Sequence, residues 1–205
     1  MEKKIYLSLA LVIFLFSTTL SQIEKNDLLL GGNLGFNASN SANGNASFAN
    51  GNSTSNANIA PHIAYALGKN STLGLNLGYS YTDNPGNYKL SSFISNIFYK
   101  KYFPCKEKFG IFLQLYAGIV LAKSSYLVLD STGLYTKNNS TTHDYEGGIV
   151  PGVYYLVSKR VLLTAECGGL SYAYYDFGEG NSSSSLSLDF LTNFTFGVDF
   201  ILGKK

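Results

Sequence analysis

Tryptophan is absent from this 205-residue chain, methionine occurs once, proline four times and cysteine twice, and charged residues make up only 14% of it. Two cysteines cannot build a disulfide framework, and Cys105 falls in a turn while Cys167 lies on the apolar face of a strand, so no mutual bridge is expected. The two histidines, His62 and His143, lack paired-ligand spacing, which leaves no metal site and no cofactor to expect. A formal net charge of +2 gives no reason to invoke nucleic acid. Long apolar runs are also missing, except for Ile5 to Phe16, which falls short of the ~20 residues a spanning helix needs. Lys3 and Lys4 precede that run and Ser17, Thr18, Thr19, Leu20 and Ser21 follow it. Residues 1–21 therefore read as a cleaved secretory signal peptide, and residues 22–205 as one exported domain.

What the chain has is Tyr, Phe and Gly, at 16, 14 and 21 residues, a composition that favours strands over helices. The alternation is clearest at the carboxyl end. Leu186, Leu188, Phe190, Phe194, Phe196, Val198, Phe200 and Leu202 share one phase, with Ser187, Asp189, Asn193, Thr195, Gly197 and Asp199 in the other. Side chains of period two sample the two sides of a sheet in turn, so this strand fits a wall between lipid and a polar lumen.

The same pattern recurs in Ala57 to Leu67, Leu73 to Tyr81, Lys89 to Phe103, Phe109 to Leu121, Tyr145 to Val157 and Val161 to Tyr175. With Asp27 to Phe36 and the final strand, these make eight. Polar stretches at 37–58, 83–87, 130–144 and 176–185 read as long loops and alternate with short turns at Gly68-Lys69-Asn70, 104–108 and Ser158-Lys159-Arg160. That alternation predicts an all-β, eight-stranded antiparallel up-and-down transmembrane β-barrel, with both chain ends on the periplasmic side and a lumen filled by side chains. Tyr79, Tyr81, Tyr172, Tyr174 and Tyr175 towards the loops, and Tyr99, Tyr102 and Phe103 towards the turns, are expected to form two interfacial girdles.

In this phase Lys100, Gln114, Glu146, Glu166, Asp189 and Asp199 point inward, together with His62, Asn58, Asn76 and Asn193. A structural network in which Lys100 neutralises carboxylates is the expected role, and a narrow solute or proton path is the alternative. Lys100 and Lys101 are adjacent, so only one of them can face inward. His143 beside Ser140, Thr141, Thr142 and Asp144 offers residue types used in nucleophilic catalysis. Adjacent positions on a solvated loop do not converge as a triad must, so no enzyme is expected.

Several blocks carry a family resemblance: Ser21-Gln22; Ile97-Phe98-Tyr99-Lys100-Lys101-Tyr102-Phe103-Pro104; Lys108-Phe109-Gly110-Ile111-Phe112; Pro151-Gly152-Val153-Tyr154-Tyr155; and Thr195-Phe196-Gly197-Val198. They resemble the outer-membrane β-barrel domain family common in Bacteroidota, which looks like the small OmpA/OmpX-type barrels. Thr195, Gly197, Phe200 and Leu202 also resemble the signal by which barrel-assembly machinery recognises its clients, although this chain ends on Gly203-Lys204-Lys205 instead of an aromatic residue. The resemblance implies a monomeric integral protein of the cell outer membrane. Its partners would be membrane lipid, the assembly machinery during biogenesis, and an extracellular protein or surface ligand at the loops. A soluble lipocalin-like binding barrel is the remaining reading, and it would need the apolar face inside.

Overall fold

The computed structural model describes residues 23–41, 52–84, 88–129, 135–178 and 181–203; the signal peptide assigned to residues 1–21 lies outside them. Eight strands run in chain order: β1 (Leu28–Ser41), β2 (Asn52–Gly68), β3 (Ser71–Asn84), β4 (Tyr88–Pro104), β5 (Phe109–Leu129), β6 (Tyr135–Ser158), β7 (Val161–Gly178) and β8 (Asn181–Leu202). Each pairs antiparallel with the next, and β1 pairs with β8 from Leu28↔Leu202 to Gly35↔Thr195, closing the barrel. Closure leaves no edge strand along this stretch, so its backbone donors and acceptors meet partners within the wall.

The apolar phase faces out. Leu34, Ile59, Leu75, Ile97, Leu115, Leu186, Leu188 and Phe196 are exposed, up to 72% at Leu186. Along β5 the outward residues from Phe109 to Leu121 are apolar throughout. Twelve residue steps at ~3.3 Å cover about 40 Å of strand, and a tilt of ~45° projects that to about 28 Å, close to the height of an outer-membrane apolar band.

Three expectations need correction. The polar stretches are largely strand rather than loop: Phe36 to Ser41 pairs with Asn52 to Ala57, Tyr135 to Asp144 with Val120 to Leu129, and Asp176 and Gly178 with Ser182 and Asn181. A hairpin ladder, once started, continues through backbone hydrogen bonds that need no apolar side chain, so the hydrophobic signal ends before the strand does. The girdle loses Tyr102, which is buried inside at 3% exposure, and Tyr175, which lines the lumen. Tyr99 and Tyr102 are an odd number of residues apart and cannot share a face.

The third correction concerns β7, which does not keep one phase. Leu162 and Thr164 are buried, yet beyond the middle of the strand it is Leu170, Tyr172 and Tyr174 that are exposed. The switch falls at Gly168, whose φ of 77° is left-handed. Against β6 the strand carries one extra residue there, with Gly152 opposite Glu166 and Ile149 opposite Leu170, while against β8 the surplus lies on β8, with Cys167 opposite Phe194 and Gly168 opposite Phe190. A bulge at a glycine inserts the extra residue that swaps the two faces.

Candidate functional site: a layered lumen

The outer wall is mostly apolar, so the chemistry is sought inside. At the end that carries the short turns, the lumen is apolar. Ile23, Leu29, Phe98, Tyr102, Phe112, Tyr154, Leu162 and Ile201 form one buried cluster with Ala64 and Ala66. Tyr102 meets Tyr154 edge-on at 5.3 Å between ring centroids, and Phe112 at 6.0 Å. Ile23 enters from below, held by Asn70 N donating to its carbonyl at 3.0 Å. Ile23 thus helps stopper that end. The polar network expected from the sequence shares the lumen with an aromatic layer.

A charged layer rests on this stopper. Lys100, 1% exposed, places Nζ 4.5 Å from the Phe112 ring centroid and 5.6 Å from that of Phe98, and 3.9 Å from Glu166 Oε1. Asn33 Nδ2 donates to the same Glu166 oxygen at 3.4 Å. His62 Nε2 hydrogen-bonds Asp199 Oδ1, both side chains being buried, and the imidazole stands edge-on to Phe98 at 5.5 Å. Burying an ion costs several kcal/mol unless opposite charge and donors surround it. Lys100 meets that condition with a carboxylate on one side and aromatic faces on the other. Lys101 faces out, its Nζ donating to the Lys69 carbonyl at 3.4 Å.

Above the charged layer the lumen opens. An inner cavity of ≈ 200 Å³ is lined by Asn33, Asn58, Asn76, Asn96, Gln114, Tyr116, Glu146 and Glu166, among others. A wider one of ≈ 590 Å³ follows, lined by Ser92, Ser124, Ser140, Thr142, Asp144, Glu146, Tyr175 and Ser183 with small apolar residues. Glu146 borders both.

Of the residues assigned inward from the sequence, Lys100, Gln114 and Asp199 are buried in the lumen and Glu166 joins Lys100. Glu146 lies farther up, on the cavities, and Asp189 is exposed and remote from the network, opposite Gly169. Thr195 lines the inner cavity and Gly197 is buried, whereas Phe200 and Leu202 stand on the outer wall at 51% and 46% exposure. The residue types around His143 are pulled apart: His143 is exposed while Asp144 is buried, because neighbours on a strand point to opposite faces. Both cysteines are free.

Phe112 and Tyr154 were not foreseen as stoppers, although a signal was available. Phe98, Phe112 and Tyr154 each stand directly opposite a glycine, namely Gly74, Gly152 and Gly110, and each ring occupies space a Cβ there would need.

No protein-family model and no curated protein matches the sequence. Among solved structures the chain is similar to Neisserial surface protein A, at 18% identity over 85% of this chain and 96% of that one, with a TM-score of 0.41. It is similar also to outer membrane protein W of E. coli, at 13% identity over 87% and 99%, TM-score 0.44. A third is the attachment invasion locus protein of Yersinia pestis, at 12% identity over 88% and 100%, TM-score 0.41. The barrel assignment itself stands on the closed strand register described above.

Proposed function

We propose that this chain is an integral outer-membrane β-barrel protein with a stoppered lumen, serving a structural or surface-interaction role through the hairpins and loops at its open end, and that it is not an enzyme. The observation that carries this reading is the outward apolar belt. A soluble barrel exposing Leu73, Leu75, Leu77, Phe194, Phe196 and Phe200 together would far exceed the few hundred Å² of contiguous apolar surface that soluble monomers tolerate. Tyr79, Tyr81, Tyr145, Tyr172 and Tyr174 on the outer face near the open end suit a headgroup interface, where a phenol can be half wet. The Tyr145 and Tyr174 rings lie 6.4 Å apart, tilted by 43°.

In this proposal residues 1–21 direct export and are removed, and the resemblance to the Bacteroidota barrel family supplies the cell envelope in which the chain acts. Thr195, Gly197, Phe200 and Leu202 would engage the assembly machinery, and the mature barrel would be a monomer whose open-end hairpins meet an extracellular protein or surface ligand. The aromatic stopper favours a closed lumen over the alternative of a narrow channel. Fractionation of expressing cells, with electrophoretic mobility compared before and after boiling, tests the barrel: an outer-membrane band that shifts on boiling supports it, and a soluble, unshifting protein overturns it. Planar-bilayer recording tests the stopper, since steady conductance from the intact barrel would reinstate the channel.

A further inference from the structure

The outer half of the lumen contains buried oxygen atoms with no hydrogen-bond partner. Asp144 is 9% exposed and lines the ≈ 590 Å³ cavity. Its Oδ2 accepts from Thr142 Oγ1 at 3.5 Å, while its Oδ1 is buried with no hydrogen-bond partner. Glu146, two residues along the same strand, faces the same lumen, its Cα about 7 Å away at ~3.4 Å per residue. Deeper in, Asn33, Asn58, Asn76 and Asn96 each bury an amide oxygen with no partner, all four on the inner cavity that Glu146 also borders. No Lys, Arg or His is among the described residues lining either cavity. Lys100 lies below, engaged with Glu166 and the Phe112 ring. His143, adjacent to Asp144, faces the other way.

A buried carboxylate oxygen without a donor is expensive to maintain. A donor set made only of carboxylate, amide and hydroxyl oxygens is chemically selective, because such ligands suit hard cations and not soft ones. We propose that the outer lumen binds a divalent hard cation of the Ca²⁺ kind, anchored by Asp144 and Glu146, with hydroxyl oxygens, amide oxygens and water completing its shell. Ca²⁺ tolerates irregular shells of six to eight oxygens, which a cavity of this width can supply with retained water. Two carboxylates in an open vestibule correspond to an affinity of about 10⁻⁴–10⁻³ M, typical of extracellular Ca²⁺ sites. Access from outside the cell rests on the outer-membrane reading above; the site itself rests on the lumen.

Terbium substitutes for Ca²⁺ and emits when a nearby tyrosine is excited, and Tyr175 and Tyr116 line the two cavities. The experiment uses the full mature chain folded in zwitterionic detergent free of lipopolysaccharide, titrated with Tb³⁺ and then with Ca²⁺. The expected result is tyrosine-sensitised emission that Ca²⁺ displaces. It should be ~tenfold weaker in apparent affinity for D144N/E146Q and unchanged for Asp83→Asn, a carboxylate beside Lys89 outside the cavities. Should the double variant fail to fold, Tyr175→Phe reads the location by itself, with dimmer emission and the same concentration dependence. Absence of emission from the unaltered protein, resistance to Ca²⁺, an unaffected D144N/E146Q, or an unaffected Tyr175→Phe intensity would each overturn the proposal. Boiling-dependent mobility is measured on the same samples: retained mobility shift without emission defeats the cation site alone, whereas loss of the shift defeats the barrel reading.

Discussion

Gly152 of β6 lies directly opposite Phe112 of β5, and the phenyl ring fills the space that a Cβ at position 152 would need. The ring in turn forms a face over which Lys100 Nζ sits at 4.5 Å. One missing methyl group thus seats the aromatic stopper and, through it, the lumen's buried cation.

Gly152→Ala should therefore destabilise the barrel. The added carbon meets the Phe112 ring on one side and the Ala165 carbonyl on the other, and overpacking of this kind costs about 1–3 kcal/mol. Urea unfolding followed by boiling-dependent mobility measures it; a variant as stable as the parent would mean that the ring is free to move aside.

Lys100→Met should cost about 3 kcal/mol, because Glu166, its side chain only 13% exposed, then loses its cation. Glu166→Gln added to that variant should restore part of the loss, giving a coupling energy of about 1–3 kcal/mol in the double-mutant cycle. Additive single effects would show that the 3.9 Å pair does not act as a pair.

With lipid around the wall, as proposed, the cost of a charge depends on its height. Leu75→Arg, in the middle of the exposed apolar run of β3, should destabilise the protein in bilayers by about 2–4 kcal/mol, whereas Ser91→Arg, above the belt on β4, should cost about 0–1 kcal/mol. Equal, small effects at both sites would indicate water, not lipid, around the barrel.

Ser41 and Asn52 are ladder partners, so replacing residues 42–51 by a two-residue Asn-Gly turn joins positions that already face each other. The shortened protein should keep its boiling-dependent mobility shift. A shortened chain that no longer folds would assign this segment a part in assembly.

Much of the architecture is legible in single strands. Leu73, Leu75, Leu77, Tyr79 and Tyr81 show their face by alternation alone, since the surroundings of the wall ask the same of every outward residue. Glu146 and Asp144 illustrate the converse. Both are acidic positions of one strand, yet one read as lumenal and the other as loop, because nothing local shows that β5 and β6 keep pairing beyond Ile119 and Tyr145.

The sequence by itself determined the number of strands, their order and the outward face of most of the wall, though not of Tyr102, Tyr175 or the two halves of β7, because period-two alternation is a local property that reads the same way all round the barrel. Only the tertiary structure decided how the lumen is divided into an aromatic stopper, a charged layer and an oxygen-lined vestibule. Inside a closed barrel, neighbours come from several strands at once. Which glycine faces Phe112, which carboxylate Lys100 reaches, and where Gly168 turns β7 over depend on register and bulges that no single strand encodes.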